Sequence, residues 1–283
     1  GKVDSMKISI LTENTVYKRG FLAEHGLSLL IEEKGKRLLF DTGQSRVFLH
    51  NAEKLSLKLQ DLDGIILSHG HYDHCGGMEY VQELGNEIPV YVQQKAFEKK
   101  YVESSRKSGL RYIGMRDQEE WQENEQIRKL RGGCMRIADG VYLLAEIPYT
   151  TEFEPDPKGF WREGSQEKEP ELLTDRMEDE QLLIVESDKG LNVFAGCAHP
   201  GIINCLQYVQ SVFSDRHIHS LVAGMHLKGC DQQRVEKTIQ ALRDLEIDVV
   251  VPLHCTGICA IGSMKEALGE RCILAEAGKV IEL

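Results

Sequence analysis

At 283 residues the chain can bury a substantial core, in one large domain or two small ones. Its 41% hydrophobic and 28% charged residues are those of an ordinary soluble globular protein, and no apolar run approaches the roughly 20 residues that cross a bilayer. A net charge of −11 argues against a general polyanion binder, since nucleic-acid affinity comes largely from Lys and Arg, but leaves room for a small anionic substrate held at a metal. The eight cysteines are scattered, several beside candidate ligands (Cys75, Cys197, Cys255), which suits a reducing cytoplasm better than a secreted disulfide framework. No nucleic-acid or membrane partner is expected, and oligomerisation is left open.

Residues 1–5, ahead of Met6, read as an expression remnant, and the short polar start reads as no signal peptide. From Met6, K-I-S-I-L-T-E alternates apolar and polar residues as a half-buried strand does. Similar strands are expected at 27–33 and 37–40, leading into Asp41-Thr42-Gly43. Asp41, at the end of an apolar strand, reads as a turn former or helix cap. Residues 45–59 carry helical apolar spacing, with Ser45 as a candidate cap. A buried strand at 61–67, a helix from Gly76-Gly77 through Leu84 and a strand at 89–92 follow. This alternation predicts an α/β layered protein, not an all-β sandwich.

Between about 93 and 175 the chain becomes dense in charge, with one strand-like island at 141–146 and a Pro- and Gly-rich tract at 150–171. It reads as an insertion that either covers the site as a lid or forms a solvated lobe. Phe153, Phe160, Trp161 and Arg162 are its candidate ligand-capping residues. A hairpin at 181–195 then delivers G-C-A-H-P-G, helices are expected from Ile202 to Phe213 and at 231–245, and strands at 218–223 and 248–252 precede His226 and His254. A short hairpin over 272–283 closes the chain.

The most informative stretch is 65–77, I-I-L-S-H-G-H-Y-D-H-C-G-G, where a buried strand runs straight into His69, His71, Asp73 and His74. Three imidazoles and a carboxylate on one tight loop are costly to bury unless something binds them, and metal is the natural partner. His69 and His71, two apart in extended backbone, can face one cation, while Asp73 and His74 face a second. Zinc suits imidazole and carboxylate ligands, and manganese or iron fits the same set.

That stretch, with G-C-A-H-P-G at 196–201, G-M-H-L at 224–227 and H-C-T-G at 254–257, resembles the metallo-β-lactamase superfamily. Within it, the chain resembles the subgroup named for the synthase of a dihydropterin-methyl ribofuranosylaminobenzene phosphate. The resemblance implies a four-layer αββα sandwich over 6–283, with the metals at one edge where strand ends meet. It also implies that His69, His71 and His199 hold one of two divalent ions and that Asp73, His74 and His254 hold the other. The F-D-T-G aspartate, Asp41, would support the metal loop. One departure stands out: where most two-metal members carry a bridging aspartate in G-D, this chain has Gly196-Cys197. Cys197 is a thiolate ligand or none, and Asp179 and Glu180 are alternative donors. His226 is either a buried core histidine or a substrate-binding group or general acid. His25, His50, His217 and His219 are assigned no role, and Cys255 and Cys259 are read as packing residues.

The chemistry expected is metal-assisted hydrolysis of a small, phosphorylated substrate by activated water, with Asp73 both ligating and orienting it. The subgroup implies an alternative, a transferase that releases pyrophosphate. A metal-binding module without catalysis is the third reading.

Overall fold

The computed structural model describes residues 5–104, 109–164, 171–214 and 216–283. The expression remnant read into residues 1–5 falls almost wholly outside these, as do 105–108 and 165–170 of the charged stretch. Two large sheets form the centre. The first has seven strands in the spatial order Val280–Glu282, Lys7–Thr12, Ser28–Glu33, Lys36–Phe40, Gly64–Ile66, Val90–Gln93, Ile127–Leu130. The second has six, in the order Val249–Leu253, Ile218–Gly224, Gly190–Ala195, Leu182–Ser187, Val141–Leu144, Cys134–Ala138.

The period-2 geometry of a strand sorts its side chains into two cores. Leu29, Ile31, Leu38, Phe40 and Ile66 face the opposite sheet and meet Leu183, Val185, Phe194, Val222 and Val251. Phe40 and Phe194 pack ring against ring across this interface, with centroids 6.2 Å apart. Their neighbours Leu30, Leu39, Ile65 and Leu67 point outward, under the helix Val47–Lys54 and the 3₁₀ segment Gly76–Glu83. On the far side Leu182, Ile184, Leu191 and Val193 lie under the helices Ile202–Val212, Gln232–Asp244 and Ile258–Leu268. The result is helix, sheet, sheet, helix: the expected αββα sandwich. Among the described residues no helix is long and apolar enough to cross a membrane.

Several expectations are corrected. The first strand is buried on both faces, Ser9 and Thr12 included, because helices cover what alternation had assigned to solvent. The helix expected over 45–59 is confined to Val47–Lys54. Ser45 does not sit at its N-cap, and its hydroxyl instead donates to Glu24 Oε2 at 2.5 Å. The helix expected from Gly76 is a short α-turn, Tyr72–Cys75, running into 3₁₀ geometry. The terminal hairpin does not form. Val280–Glu282 instead pairs antiparallel with Lys7–Thr12 and closes the edge of the first sheet. The charged stretch supplies edge strands to both large sheets, and Lys100–Glu103, Leu110–Tyr112, Phe160–Glu163 and Leu172–Thr174 make a separate four-stranded sheet.

Topology brings the functional loops together. Lys36–Phe40, Gly64–Ile66 and Val90–Gln93 are mutually parallel, as are Gly190–Ala195, Ile218–Gly224 and Val249–Leu253. Parallel strands discharge their loops at one end, so each set presents its strand-end residues along one edge. The meeting is tight: a Cβ on Gly196 would lie 2.1 Å from Ser68 Oγ and 2.9 Å from Asp41 Oδ2. A Gly196→Ala variant should therefore lose about 1–3 kcal/mol through overpacking. A denaturant midpoint indistinguishable from the parent protein's would contradict this packing.

Candidate metal centre

The site is built outward from Asp41. At the end of its strand Asp41 takes φ +59°, a strained value for a non-glycine residue, and turns its carboxylate into the gap between the sheets. There it accepts hydrogen bonds from Ser68 N at 2.7 Å, Ser68 Oγ at 2.7 Å and His74 Nδ1 at 2.6 Å. One carboxylate thus fixes both ends of the His-rich loop and leaves His74 Nε2 free to ligate. Thr42 reinforces the contact by donating from Oγ1 to His74 O at 2.9 Å. Gly77 allows the loop to lie flat, since a Cβ there would come within 2.2 Å of Thr42 O.

Two clusters of candidate ligands result. His69, His71 and His199 form a triangle of rings with centroids 4.6, 5.1 and 5.0 Å apart. All three are buried, yet His69 Nε2, His71 Nε2 and both ring nitrogens of His199 have no hydrogen-bond partner. An orphaned buried polar atom costs about 1–3 kcal/mol, so three imidazoles left this way fit a cation, which would engage them. The second cluster is Asp73, His74, Cys197 and His254. Here His74 Nε2 lies 3.0 Å from Cys197 Sγ and 3.1 Å from His254 Nε2, while Asp73 Oδ2 lies 3.1 Å from His254 Nε2 and 3.5 Å from His74 Nε2. Cys197, His199 and His226 also lie within ligating distance of one another, linking the two groups.

Protonation follows the surroundings. Burial, then the neighbouring imidazoles, holds His69 and His199 well below the ordinary histidine range, and burial pushes His71 down to about 4. These rings are neutral at pH 7, the form that binds metal. His74 goes the other way: burial opposes its charge, but Asp73 and Asp41 outweigh it and raise its pKa well above the usual value. Burial likewise opposes charge on Asp73, yet His74, His25 and His254 hold its carboxyl well below the carboxylate range. Without metal, the second cluster is a proton-sharing network.

Further carboxylates brace the ligand loops through their backbone. Gly70 N donates to Asp179 Oδ2 at 2.7 Å, His199 N to Glu180 Oε1 at 2.6 Å and His254 N to Glu13 Oε1 at 2.8 Å. Asp179 and Glu180, considered from sequence as alternative donors to a metal, each hold a loop with one oxygen, while Asp179 Oδ1 and Glu180 Oε2 are buried without a hydrogen bond and Glu180 Oε2 lies 3.1 Å from His69 Nδ1. Ala198, His226 and His254 join Asp41 at positive φ, so four strained non-glycine residues gather at one edge. His226 sits beside His199, with ring centroids 4.4 Å apart. Phe160, from the small sheet, stacks on His71 at 5.9 Å and 16° and meets His199 and His226 edge-on or tilted. Trp161 and Arg162 instead pair with Glu103 and Glu98, and Phe153 packs into the helical core.

Sequence reasoning missed His25. Half-exposed on an irregular loop, it places Nε2 3.1 Å from Asp73 Oδ2 and its ring 4.9 Å from that of His254. No periodicity marks such a residue. Lys100 was missed as well, lost in a run of surface-like charges, though it is only 1% exposed. His50, His217 and His219 lie among other partners, Gly20 O and Asp248. Cys255 is buried with Sγ 3.7 Å from Cys197 O, whereas Cys259 is exposed, so the two do not pack as a pair.

A family model of the metallo-beta-lactamase superfamily matches residues 23–213. The chain belongs to that superfamily. It is 31% identical to the 7,8-dihydropterin-6-methyl-4-(beta-D-ribofuranosyl)-aminobenzene-5'-phosphate synthase of Methanocaldococcus jannaschii, over 100% of this chain and 98% of that one. A more distant relative is ribonuclease Z of Treponema pallidum, 24% identical over 81% of each chain. Among solved structures Tm1679, described as a metal-dependent hydrolase of the beta-lactamase superfamily, superposes with a TM-score of 0.84 at 32% identity, over 98% of this chain and 99% of that one. Membership of a metal-dependent superfamily agrees with the orphaned imidazoles found at the sheet edge.

Lys100 is the buried cation that braces this edge from the small sheet. Its Nζ donates to Asp175 Oδ2 at 2.9 Å and lies 3.4 Å from Asp179 Oδ1, all three groups being buried. Removing one member of a buried charge network costs about 3–5 kcal/mol, so Lys100→Met should destabilise by that order in chemical denaturation; a loss below about 1 kcal/mol would place the pair among weak surface bridges. Burial pushes the Asp175 carboxyl up, but Lys100 pulls it further down, below its ordinary range. That contribution is present above about pH 4 and is lost as pH falls through the depressed value.

Proposed function

We propose that the chain is a metal-dependent hydrolase in which a binuclear centre, with zinc as the first choice and manganese or iron able to substitute, activates water against a small phosphorylated substrate. The observation that carries this reading is the pair of adjacent buried clusters, one of them with imidazole nitrogens that nothing in the protein engages. His69, His71 and His199 would hold one ion; Asp73, His74 and His254, with Cys197 beside them, would hold the other. Bound there, divalent metals supply a Lewis acid and water of lowered pKa.

The chain's own residues prepare the site. His74 Nδ1 is fixed by Asp41, His69 Nδ1 by Ser68 Oγ, and His254 Nδ1 by Asn14 Oδ1 at 2.7 Å, so each ring points Nε2 inward. Asp73, held ionised, offers a carboxylate that orients the nucleophile. Phe160 shields the His71 face from bulk water. His226 is the candidate proton donor to the leaving group: burial lowers its pKa, but Cys255 beside it more than offsets this and raises it above the ordinary value. The net charge of −11 argues against a nucleic acid and leaves room for a small anionic substrate held at the metals, and the candidate cysteine ligand suits a reducing cytoplasm.

A second reading has specific support. The methanogen relative that matches along the whole chain is named as a synthase, so a transferase that releases pyrophosphate would use the same residues to hold a diphosphate leaving group. Turnover of a phosphodiester reporter by zinc- or manganese-loaded protein separates the two. Hydrolysis is expected, falling at least about a hundredfold in His71→Ala with an unchanged circular dichroism spectrum. Undiminished turnover in that variant would contradict the assignment. Pyrophosphate release requiring two co-substrates, with no hydrolysis, would establish the transferase.

A further inference from the structure

His25, on the loop between Lys7–Thr12 and Ser28–Glu33, belongs to neither cluster but touches a member of the second. Its Nε2 lies 3.1 Å from Asp73 Oδ2, although its side chain is 53% exposed and the residues of the cluster are buried. The segment that carries it is tied to the metal loop through the backbone. Leu27 N donates to Asp73 O at 3.2 Å and Gln44 Nε2 donates to His25 O at 2.7 Å. Gly26 lets the two chains close, since a Cβ there would come within 2.8 Å of Asp73 O. The contact is built into the fold and is not the chance reach of a surface side chain.

Asn14 decides which nitrogen of each neighbouring imidazole carries the hydrogen. Gly26 N, which can only donate, bonds to Asn14 Oδ1 at 3.3 Å, and this fixes the oxygen end of the amide. His254 Nδ1, 2.7 Å from the same oxygen, is therefore the N–H nitrogen, and His254 Nε2 is the lone-pair end that can ligate. The other end of the amide, Nδ2, lies 3.3 Å from His25 Nδ1 and donates to it, which puts the His25 hydrogen on Nε2, facing Asp73 Oδ2. His74 follows His254: its Nδ1 donates to Asp41 Oδ2 at 2.6 Å, and its Nε2 faces the cluster. His25, His254 and His74 all bring Nε2 to 3.1–3.5 Å from Asp73 Oδ2. Of these three hydrogen bonds to the carboxylate, only that of His25 persists once the other two rings ligate.

We propose that His25 is a positioning residue of the second cluster: by donating from Nε2 it fixes the angle at which the Asp73 carboxylate faces an ion held there, without ligating that ion. The inference rests on the two-ion hydrolase reading above and deepens it. Asp73 is both a ligand and the group that orients the nucleophile, so a carboxylate left free to rotate costs the centre affinity and geometry together. With the two ends of one amide, Asn14 sorts adjacent histidines into a ligand, His254, and a donor, His25.

The test compares the full-length protein with His25→Ala and His25→Gln, by zinc titration of each against a competing chelator and by the visible spectrum of each loaded with cobalt(II). His25→Ala should bind one of its two ions about tenfold more weakly, leave the other unchanged and shift the cobalt bands. Where the parent protein hydrolyses the phosphodiester reporter, kcat should fall in His25→Ala with little change in KM. His25→Gln, whose amide offers an N–H in place of Nε2, should recover most of the lost affinity. Parent-like zinc affinity and cobalt bands in His25→Ala would overturn the role, even where metal-dependent hydrolysis is intact. Equal weakening in both variants would also overturn it, since it would make His25 a ligand. Weakening that His25→Gln recovers, in a protein that hydrolyses no reporter with either metal, would support the positioning role and remove the hydrolase reading, so the two failures are distinguishable.

Discussion

An imidazole nitrogen taken out of water must find a hydrogen bond or a cation, and at the edge of this sandwich several find neither within the protein. Much else in the structure serves to hold them in that condition. Asp41 grips Ser68 and His74 from one side, so the H-x-H-x-D-H loop cannot relax toward solvent or turn its rings to other partners. Gly77 and Gly224 let loops within each half approach closely, a Cβ on Gly224 standing 2.1 Å from Gly196 O, and Gly196 makes room for the Ser68 and Asp41 side chains of the other half. The positive φ values at Asp41, Ala198, His226 and His254 are local strain that the surrounding packing sustains.

A common device recurs in the ligand loops. In each, a backbone N–H is held by a buried carboxylate from elsewhere in the chain: Ser68 by Asp41, Gly70 by Asp179, His199 by Glu180 and His254 by Glu13. The two halves are thereby cross-braced, since Asp179 reaches the loop of the first sheet and Glu13 the last loop of the second. Ringing a site with carboxylates also lowers its electrostatic potential, which favours divalent cations. Lys100 tempers that field on one side and ties the small sheet to Asp179, so Phe160 and the metal loop share an anchor.

How much of this was legible depended on range along the chain. Spacing alone brought out His69, His71, Asp73 and His74, because period-2 geometry and a preceding apolar strand are local signals. Their grouping with His199 and His254 came from the resemblance, and the structure places these residues in two clusters without testing what they bind. Cys197 could be flagged only as a departure from G-D. His25, Glu13 and Lys100 were invisible: each acts through partners far away in sequence, and each sits in a stretch that reads as an ordinary polar loop, strand end or charged surface. The terminal strand was misassigned for a related reason, since its partner, Lys7–Thr12, lies at the other end of the chain.

The central claim, that two adjacent buried clusters hold two divalent ions, is most directly tested by metal stoichiometry. Metal-free protein titrated with zinc, dialysed and submitted to elemental analysis should retain two ions per chain. Retention of one would leave the second cluster a proton-sharing network, and retention of none would contradict the metal centre altogether.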